Sequence, residues 1–591
     1  MRVTIVTAQL RGFDRVGGVG TGTTFLALGL ARAGHTVNLL YIGHAHRDAG
    51  DEWSRLYERA GVGIATLAPD EAVEPRRFVR ISAVERALRD DAPDAVIAHD
   101  FGAPAYAAQR LRALGLGFAD TLFVVFCHGT RRWVKEVTRN PLASADVMLE
   151  SSLERASVEL ADVVVSPSAF MIEWMRGQGW SLPETSRVIP YLTRSAALGE
   201  AVPERSGGND GPVERLTYFG QREEIKGVGP FIAGLNALEP ALLRSVELEF
   251  LGAETKQWTR ERVESSLTQR TRAISFVSDL DQQEALERLS RPGTLAVMPS
   301  LADNSPNTVY ECLERGIPFL ASDSGGIAEL VAPEDRARVV FEPTASGVAD
   351  ALRRALSAPG ALRPARPAFD GAASLAAWSD LVELRPAVAA PSAASPDVDI
   401  VVTVSDWSPN QTYRKTRVVR AETRAAGLDA ATADWVVCLE PGDEPDPELV
   451  ETLVRAQAAS GADVVTCAVR TDAGTWYFAG EPAGVGVLAN HYGTVGLVRR
   501  SLLDQVDEPW LARGDPDWPL LARLSAAGAE IVSVPRPLVT RTDEPGTLEH
   551  DPSEGLLVVE HVERELPREV RSLARLAAGL AADAGRFKSP G

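Results

Sequence analysis

Short apolar runs bounded by glycine and polar residues recur along the first two thirds of the chain. Longer segments with apolar residues at helical spacing lie between them. Val3 to Thr7, Val37 to Tyr41, Ala95 to Ala98, Leu122 to Phe126 and Val163 to Val165 read as buried strands. Phe25 to Ala33, closed by Gly34, and Leu153 to Leu160 read as helices. Such alternation predicts βαβ units and a parallel sheet. The Ser-Gly-Gly-Asn-Asp-Gly run at 206–211 reads as a loop or linker. A second set of runs follows: Leu216 to Phe219, Val246 to Gly252, Ile274 to Val277, Leu295 to Ser300, Phe319 to Ala321 and Val339 to Phe341. Helices are predicted at Val348 to Ala355 and Ala373 to Leu384. Past an Ala/Pro/Ser-rich linker, Asp399 to Val404 and Val436 to Leu439 begin a third set. From Glu560 to Phe587 the chain reads as a helix with Leu566, Val570, Leu573, Leu576 and Leu580 on one stripe.

The clearest punctuation lies between Pro299 and Leu330. Ser305 is placed as an N-cap, Pro306 as the first helical residue, and Gly316 as the residue that ends the helix, with Pro318 forbidding its return. A helix start with free N–H groups suits phosphate. Asp303 and Glu311 flank it; acids repel phosphate, so they suit sugar hydroxyls, while the plain alternative is a capped helix with solvated acids. Gly17 to Gly22 form a glycine-rich loop after the first strand. A P-loop needs lysine where Thr23 stands, and a dinucleotide fingerprint needs another spacing nearer the strand; a flexible turn is the remaining reading. His99-Asp100 and His128-Gly129 end strands, where open α/β sheets bind ligands, and Arg131 and Arg132 follow. A structural role for either histidine is the alternative.

Length and composition narrow the class. The 591 residues suffice for three or four domains, and 45% apolar with 24% charged residues is ordinary for globular proteins. A formal charge of −20 disfavours nucleic-acid binding. No run of eighteen apolar residues occurs, and the first residues enter a strand without a signal-peptide pattern. Cys127, Cys312, Cys438 and Cys467 lie in apolar runs without metal spacing. These features place the protein in the cytoplasm as a sequence-based expectation.

The stretch from Asp303 to Gly326 resembles the donor-binding motif of glycosyltransferase family 4, the retaining glycogen-synthase-like group with the GT-B fold. An acid, seven residues and a Glu are followed by a Gly-x-Pro strand entry and a Gly-Gly loop. The resemblance implies an α/β protein with two Rossmann-like domains facing a cleft, and sugar transfer from a nucleotide-sugar to a glycan, lipid-linked or small-molecule acceptor. It carries over residue by residue. Gly18, Gly20 and Thr21 match the loop near the diphosphate; His128 matches the strand-end histidine near the donor sugar, and His99 a second such position. Gly220 and Lys226 match a phosphate-neutralising loop whose arginine position holds Gln221, with Arg222 one residue late. The N–H groups of Asn307 and Thr308 would meet the diphosphate, Glu311 the ribose, and Asp303 with Gly325 and Gly326 the sugar. Asp279 and Leu280 match the segment near the base. Tyr191-Leu192 stands where Asn-Gly is usual, a departure read as touching nothing catalytic. No metal is required in this half.

The domains implied are 1–195 on the acceptor side, 196–385 on the donor side, a linker at 386–397, a module at 398–548 and a helical tail at 549–591. The module resembles family 2 glycosyltransferases of GT-A fold. Glu440 and Asp443 occupy its metal turn, broken by Gly442, and Asp517 matches the base, with Pro516 displacing a Glu. A divalent metal is expected only if this module is active, and a degenerate, non-catalytic module is the favoured reading. For the tail, packing on the body stands against a peripheral membrane or oligomer contact. The functional expectation is a hexosyltransferase-type enzyme of polysaccharide biosynthesis. The alternatives are a nucleotide-sugar or glycan binding protein, a bifunctional transferase, and a nucleotide-dependent oxidoreductase that the glycine spacing disfavours.

Overall fold

The computed structural model describes residues 1–13, 17–43, 52–68, 72–142, 144–201, 211–357, 360–386, 395–403, 410–480, 486, 489–503 and 517–542. The linker at 387–394, most of the glycine-rich run near Gly207, the segment Gly514 to Pro516 and the predicted helix 560–587 lie outside these residues.

The first sheet has seven parallel strands in the order Gly63–Thr66, Thr36–Tyr41, Arg2–Thr7, Ala95–His99, Leu122–Phe126, Val163–Ser166, Arg187–Val188. The second has six in the order Ala273–Val277, Glu247–Leu251, Arg215–Phe219, Thr294–Met298, Phe319–Ser322, Val340–Phe341. Both are wound outward from a central pair, so each has a crevice at the carboxyl ends of that pair where the connections diverge. Their central strands are rich in apolar residues and buried almost throughout, as sheets covered on both faces require. This is the two-domain GT-B architecture expected from the residues.

The domains are tied by a helix that returns. Gly371–Val382 follows the second sheet in sequence yet packs Trp378 edge-on against Phe126 of the first, with ring centroids 4.9 Å apart. Its Asp370 N-cap accepts from Ala372 and Ala373 N–H. His35 Nε2 lies 2.8 Å from Ser379 Oγ on the same helix.

The third sheet is mixed and built mainly from residues 398–541, with one exception. Its outer strand Gly474–Trp476 pairs in parallel with Val73–Glu74 of the first domain. Thr475 N–H donates to Ala72 O at 2.8 Å and Tyr477 N–H to Glu74 O at 2.8 Å. Gly474 is needed there: a Cβ would sit 2.1 Å from Ala72 O, on a backbone with φ +142°. Around this pairing Phe78 stacks on Tyr477 at 5.6 Å and the Tyr106 hydroxyl donates to Ala479 O at 3.2 Å. Leu111, Leu114 and Leu116 are buried in one core with Val437, Leu453 and Val465 of the third sheet. No described helix is long and apolar enough to cross a membrane.

Candidate functional site

The crevices of the first two sheets face each other. Between them lies a cavity of about 440 Å³ lined from one side by Arg11, Thr21, Trp53 and Arg194 and from the other by Gln282, Asn307, Glu311 and Glu314.

Two helices point their N-termini at this cleft. Asn307–Arg315 begins one residue later than the sequence predicts: Pro306 is the N-cap, with no side-chain cap. Ser305 does not cap it, because its hydroxyl lies 3.0 Å from that of Tyr310. The Asn307 and Thr308 N–H groups therefore meet no acceptor among the described residues. The C-terminal end is as expected, with Gly316 at φ +65° and its N–H on Cys312 O. The second helix, Gly18–Arg32, corrects a larger expectation. The glycine-rich segment is its first turn rather than a loop, so Gly18, Gly20 and Thr21 are helical. Glycine serves close packing here: a Cβ on Gly22 would lie 2.8 Å from the Tyr191 ring, and one on Gly18 3.1 Å from Asn307 Nδ2. Its N-cap, Gly17, has no side chain to offer. The two helix starts touch, since Asn307 Nδ2 donates to Gly18 O at 2.9 Å. Two positive dipole ends from separate domains thus converge.

Lys226 is tied to the loop that leads into the Asn307 helix, through Asp303. It ends the short 3₁₀ turn Glu224–Lys226, and Gly227 follows at φ +75°, where a Cβ would lie 1.8 Å from Pro299 O. Leu301 N–H donates to Ile225 O at 2.8 Å, binding this turn to the strand end that carries Asp303. Lys226 Nζ is hydrogen-bonded to Asp303 Oδ2. Burial works against the Lys226 charge, but the charge and hydrogen bond of Asp303 outweigh it and hold the ammonium above its ordinary value. Gly325 (φ +59°) and Gly326 wrap the same loop, where Gly326 N–H donates to Asp303 O and Asn304 O at 3.2 and 3.0 Å. A Cβ on Gly325 would strike Asp303 O at 1.9 Å. Gly220, at φ +151°, starts the Lys226 loop, with its carbonyl 2.1 Å from where a Gly252 Cβ would stand.

Arg222 is not brought to this group. Its guanidinium pairs with Glu254 at 3.1 Å and lies over the Phe276 ring at 5.1 Å, while Nε and Nη1 make no hydrogen bond. Arg222 lies beyond the end of the strand Arg215–Phe219, where its N–H and side chain are both drawn to the 253–254 segment. Glu311 does line the cleft. Burial raises its carboxyl to about 7, against the pull of Arg11 and a hydrogen bond from Gln282.

His128 sits where its strand ends, in a chain of aromatic and histidine side chains. Its Nδ1 is 2.5 Å from the Tyr191 hydroxyl, and its Nε2 is 2.8 Å from His99 Nδ1. His99 Nε2 reaches Thr7 Oγ1 at 2.9 Å. Both ring nitrogens of His128 are therefore engaged, and the Tyr191 departure touches the site after all. Burial lowers His99 to about 4 and His128 well below its ordinary value. Beneath them Asp100 accepts from the His128 and Gly129 N–H groups at 2.9 and 3.0 Å.

Some site residues carry little sequence signal. Asn304 crosses the domains, its Nδ2 donating to Cys127 O at 3.1 Å and to His128 O at 3.3 Å, its Oδ1 accepting from Ser168. Glu329 of the second domain accepts from Ala169 and Phe170 N–H at 2.7 and 2.9 Å, at the start of a first-domain helix. Arg11 and Trp53 lie outside any motif; the guanidinium stands 5.0 Å over the indole. Tyr191 was legible as a bulky residue in an asparagine position.

In the third sheet the carboxylates that a GT-A metal would need do not fit one. Asp443 is fully buried and gives both oxygens to Arg541, at 2.7 and 3.2 Å. Asp517 pairs with Arg424 at 2.7 Å, and the same guanidinium lies 3.5 Å from Glu440. Among the described residues no group of three metal-ligating side chains forms.

Residues 8–380 match the family described as "Family 4 Glycosyltransferase in conflict systems". Glycogen synthase of Mycobacterium tuberculosis strain H37Rv is 28% identical over 380 residues, covering 58% of this chain and 84% of the relative. Among solved structures, sucrose-phosphate synthase from Thermosynechococcus elongatus superposes with a TM-score of 0.45 at 18% identity, over 64% of this chain and 96% of that one. Anabaena HepE in complex with UDP-glucose does so with a TM-score of 0.42 at 14% identity, over 65% and 98%.

Proposed function

Because the chain belongs to the family 4 glycosyltransferases of conflict systems, we propose that it transfers a sugar from a nucleotide-sugar donor held in the interdomain cleft, with retention of anomeric configuration. The observation that carries this reading is the meeting of Asn307 and Gly18, two uncapped helix starts, in the cleft that holds Glu311. Pyrophosphate oxygens settle on the N–H groups of Asn307 and Thr308 and of Gly18 and Gly20, while the Thr21 N–H closes the first turn on Gly17 O at 3.3 Å. As the glycosidic bond breaks, charge grows on the leaving diphosphate, and Lys226 moves from Asp303 to meet it. Asp303, freed of its partner, accepts from sugar hydroxyls together with the Gly325-Gly326 turn. Glu311 holds the ribose. His128 faces the donor sugar from the opposite domain, fixed in orientation by Tyr191 and His99. The bonds of Asn304 and Glu329 across the domains support a closed cleft that excludes water, the competing acceptor.

The C-terminal module serves as a structural partner of the acceptor-side domain. The pairing of Asp443 with Arg541 and of Asp517 with Arg424 favours this over a second catalytic centre.

Incubation with a panel of nucleotide-sugars, followed by mass spectrometry, tests the proposal. Release of a nucleoside diphosphate, sharply reduced in Lys226→Ala and Glu311→Gln, supports it. Donor binding without turnover, in the presence of a broad acceptor pool, would instead mark a binding protein.

A further inference from the structure

A second cavity, of about 590 Å³, opens in the first domain and is lined by four arginines, Arg76, Arg77, Arg80 and Arg131, with Phe101 and Glu150. Glu150 is the one carboxylate among its lining residues. The Glu150 side chain is 5% exposed and spends its oxygens on two of the arginines. Arg77 Nη1 lies 3.1 Å from Oε2, while Arg131 Nη2 and Nε lie 3.1 and 3.2 Å from Oε1 and Oε2. Asp146 adds a remote contact to Arg77 at 3.9 Å. Arg131 is further fixed over the Phe101 ring at 4.6 Å. The Arg76 and Arg80 side chains are exposed and meet no partner among the described residues. The chain as a whole carries −20 and repels anions at long range, so this excess of cations is local.

We infer that this cavity seats the phosphomonoester of an anionic acceptor. Two guanidinium groups held by a buried carboxylate, with two more beside them that meet no partner among the described residues, present several planar donor forks to one volume, and such forks match phosphate oxygens. The volume suits a small phosphorylated molecule or head group. The word acceptor rests on the donor reading above. Phe101 follows Asp100, whose carboxylate holds the His128 N–H, and Arg131 comes three residues after His128. A group anchored here lies along the strand ends that lead to the donor sugar, with Phe101, 44% exposed, offering it an apolar face.

Calorimetric titration of the full-length protein with glucose 6-phosphate, with glucose, and with vesicles containing phosphatidic acid tests the site. Binding in the soluble arm identifies a free phosphorylated acceptor, and binding in the vesicle arm a lipid-linked one. Glucose is expected to bind more weakly than its phosphate. Arg76→Gln/Arg80→Gln, at exposed positions, is expected to weaken phosphomonoester binding by about tenfold for each charge-assisted bond lost, the factor that about 1.4 kcal/mol represents. Uridine or adenosine diphosphate binding by that variant stays at the wild-type level. The inference is overturned if neither arm binds, if the double variant binds as tightly as wild type, or if nucleoside diphosphate displaces the phosphomonoester. Loss of nucleotide binding in Lys226→Ala bears on the donor reading alone.

Discussion

The Tyr191 hydroxyl lies 2.5 Å from Nδ1 of His128, at one end of a hydrogen-bonded chain whose direction is set at the other end by the Thr7 hydroxyl. Burial keeps Tyr191 protonated and both histidines neutral. Tyr191 therefore donates to His128 Nδ1, His128 Nε2–H to His99 Nδ1, and His99 Nε2–H to Thr7 Oγ1, whose own hydroxyl donates to Gln9 O at 2.8 Å. Tyr191→Phe leaves His128 Nδ1 without its donor and is expected to cost about 1–3 kcal/mol in denaturant unfolding, the penalty of a buried unsatisfied group.

The same chain sets a pH dependence. His99 titrates at about 4 when folded, against 6.5 ordinarily, so the unfolded state binds more protons between those values. Its contribution is complete above about 6.5 and is lost as pH falls toward 4. Asp100, raised to about 6 by burial, acts in the opposite sense, losing stability as pH rises from 3.8 to 6. The two are separated by a difference: the stability gap between wild type and His99→Gln is expected to narrow from pH 7 to pH 4.5 in urea titrations.

Lys226→Ala removes the one ammonium placed against the proposed leaving group. A fall in kcat/KM of roughly 10²–10³ is expected, the range seen when a preorganised electrostatic contact to a developing charge is deleted. Steady-state release of nucleoside diphosphate measures it. A change within twofold would place the diphosphate elsewhere.

Glu311 trades stability for its position. Its folded carboxyl titrates at about 7 against an ordinary 4.5, so the native state binds more protons in that interval and stability falls as pH rises through it. Glu311→Gln is expected to unfold at an equal or higher temperature than wild type at pH 8 while losing donor turnover. In wild type the KM for donor is expected to rise below pH 7 as the carboxyl protonates. A flat KM from pH 6 to 8 would remove Glu311 from the ribose.

In the C-terminal module, Arg541→Ala strands the fully buried Asp443 carboxylate. A loss of about 3–5 kcal/mol is expected from breaking one side of such a pair, read as a lowered melting temperature. Sugar transfer is expected to be unchanged by a chelator, since the carboxylates of this module are engaged by arginines.

Much of this was legible in the residues because it is written locally. Strand runs ended by Gly220, His128 or Pro299 announce the two sheets, and Gly316 with Pro318 announces the end of the donor helix. The misread features depend on partners far along the chain. The glycines at 17–22 look like a loop until Tyr191 and Asn307 are seen pressing on that helix turn. Arg222 carries the right charge but is held by Glu254, 32 positions along the chain. The bond from Asn304 to His128 O joins residues 176 positions apart, beyond any periodicity. Val73–Glu74 is too short to register as a strand at all.

That two-residue strand also determines how the gene can be divided. An expression plasmid ending after codon 386 would strip the partner from Val73–Glu74 and lay bare Phe78, Tyr106 and Leu111 to water. Such a fragment is expected to precipitate or self-associate, though it retains every residue proposed to face the nucleotide. Biochemical study of transfer therefore begins with the whole polypeptide, or with a fragment whose newly wetted leucines and aromatics have been redesigned.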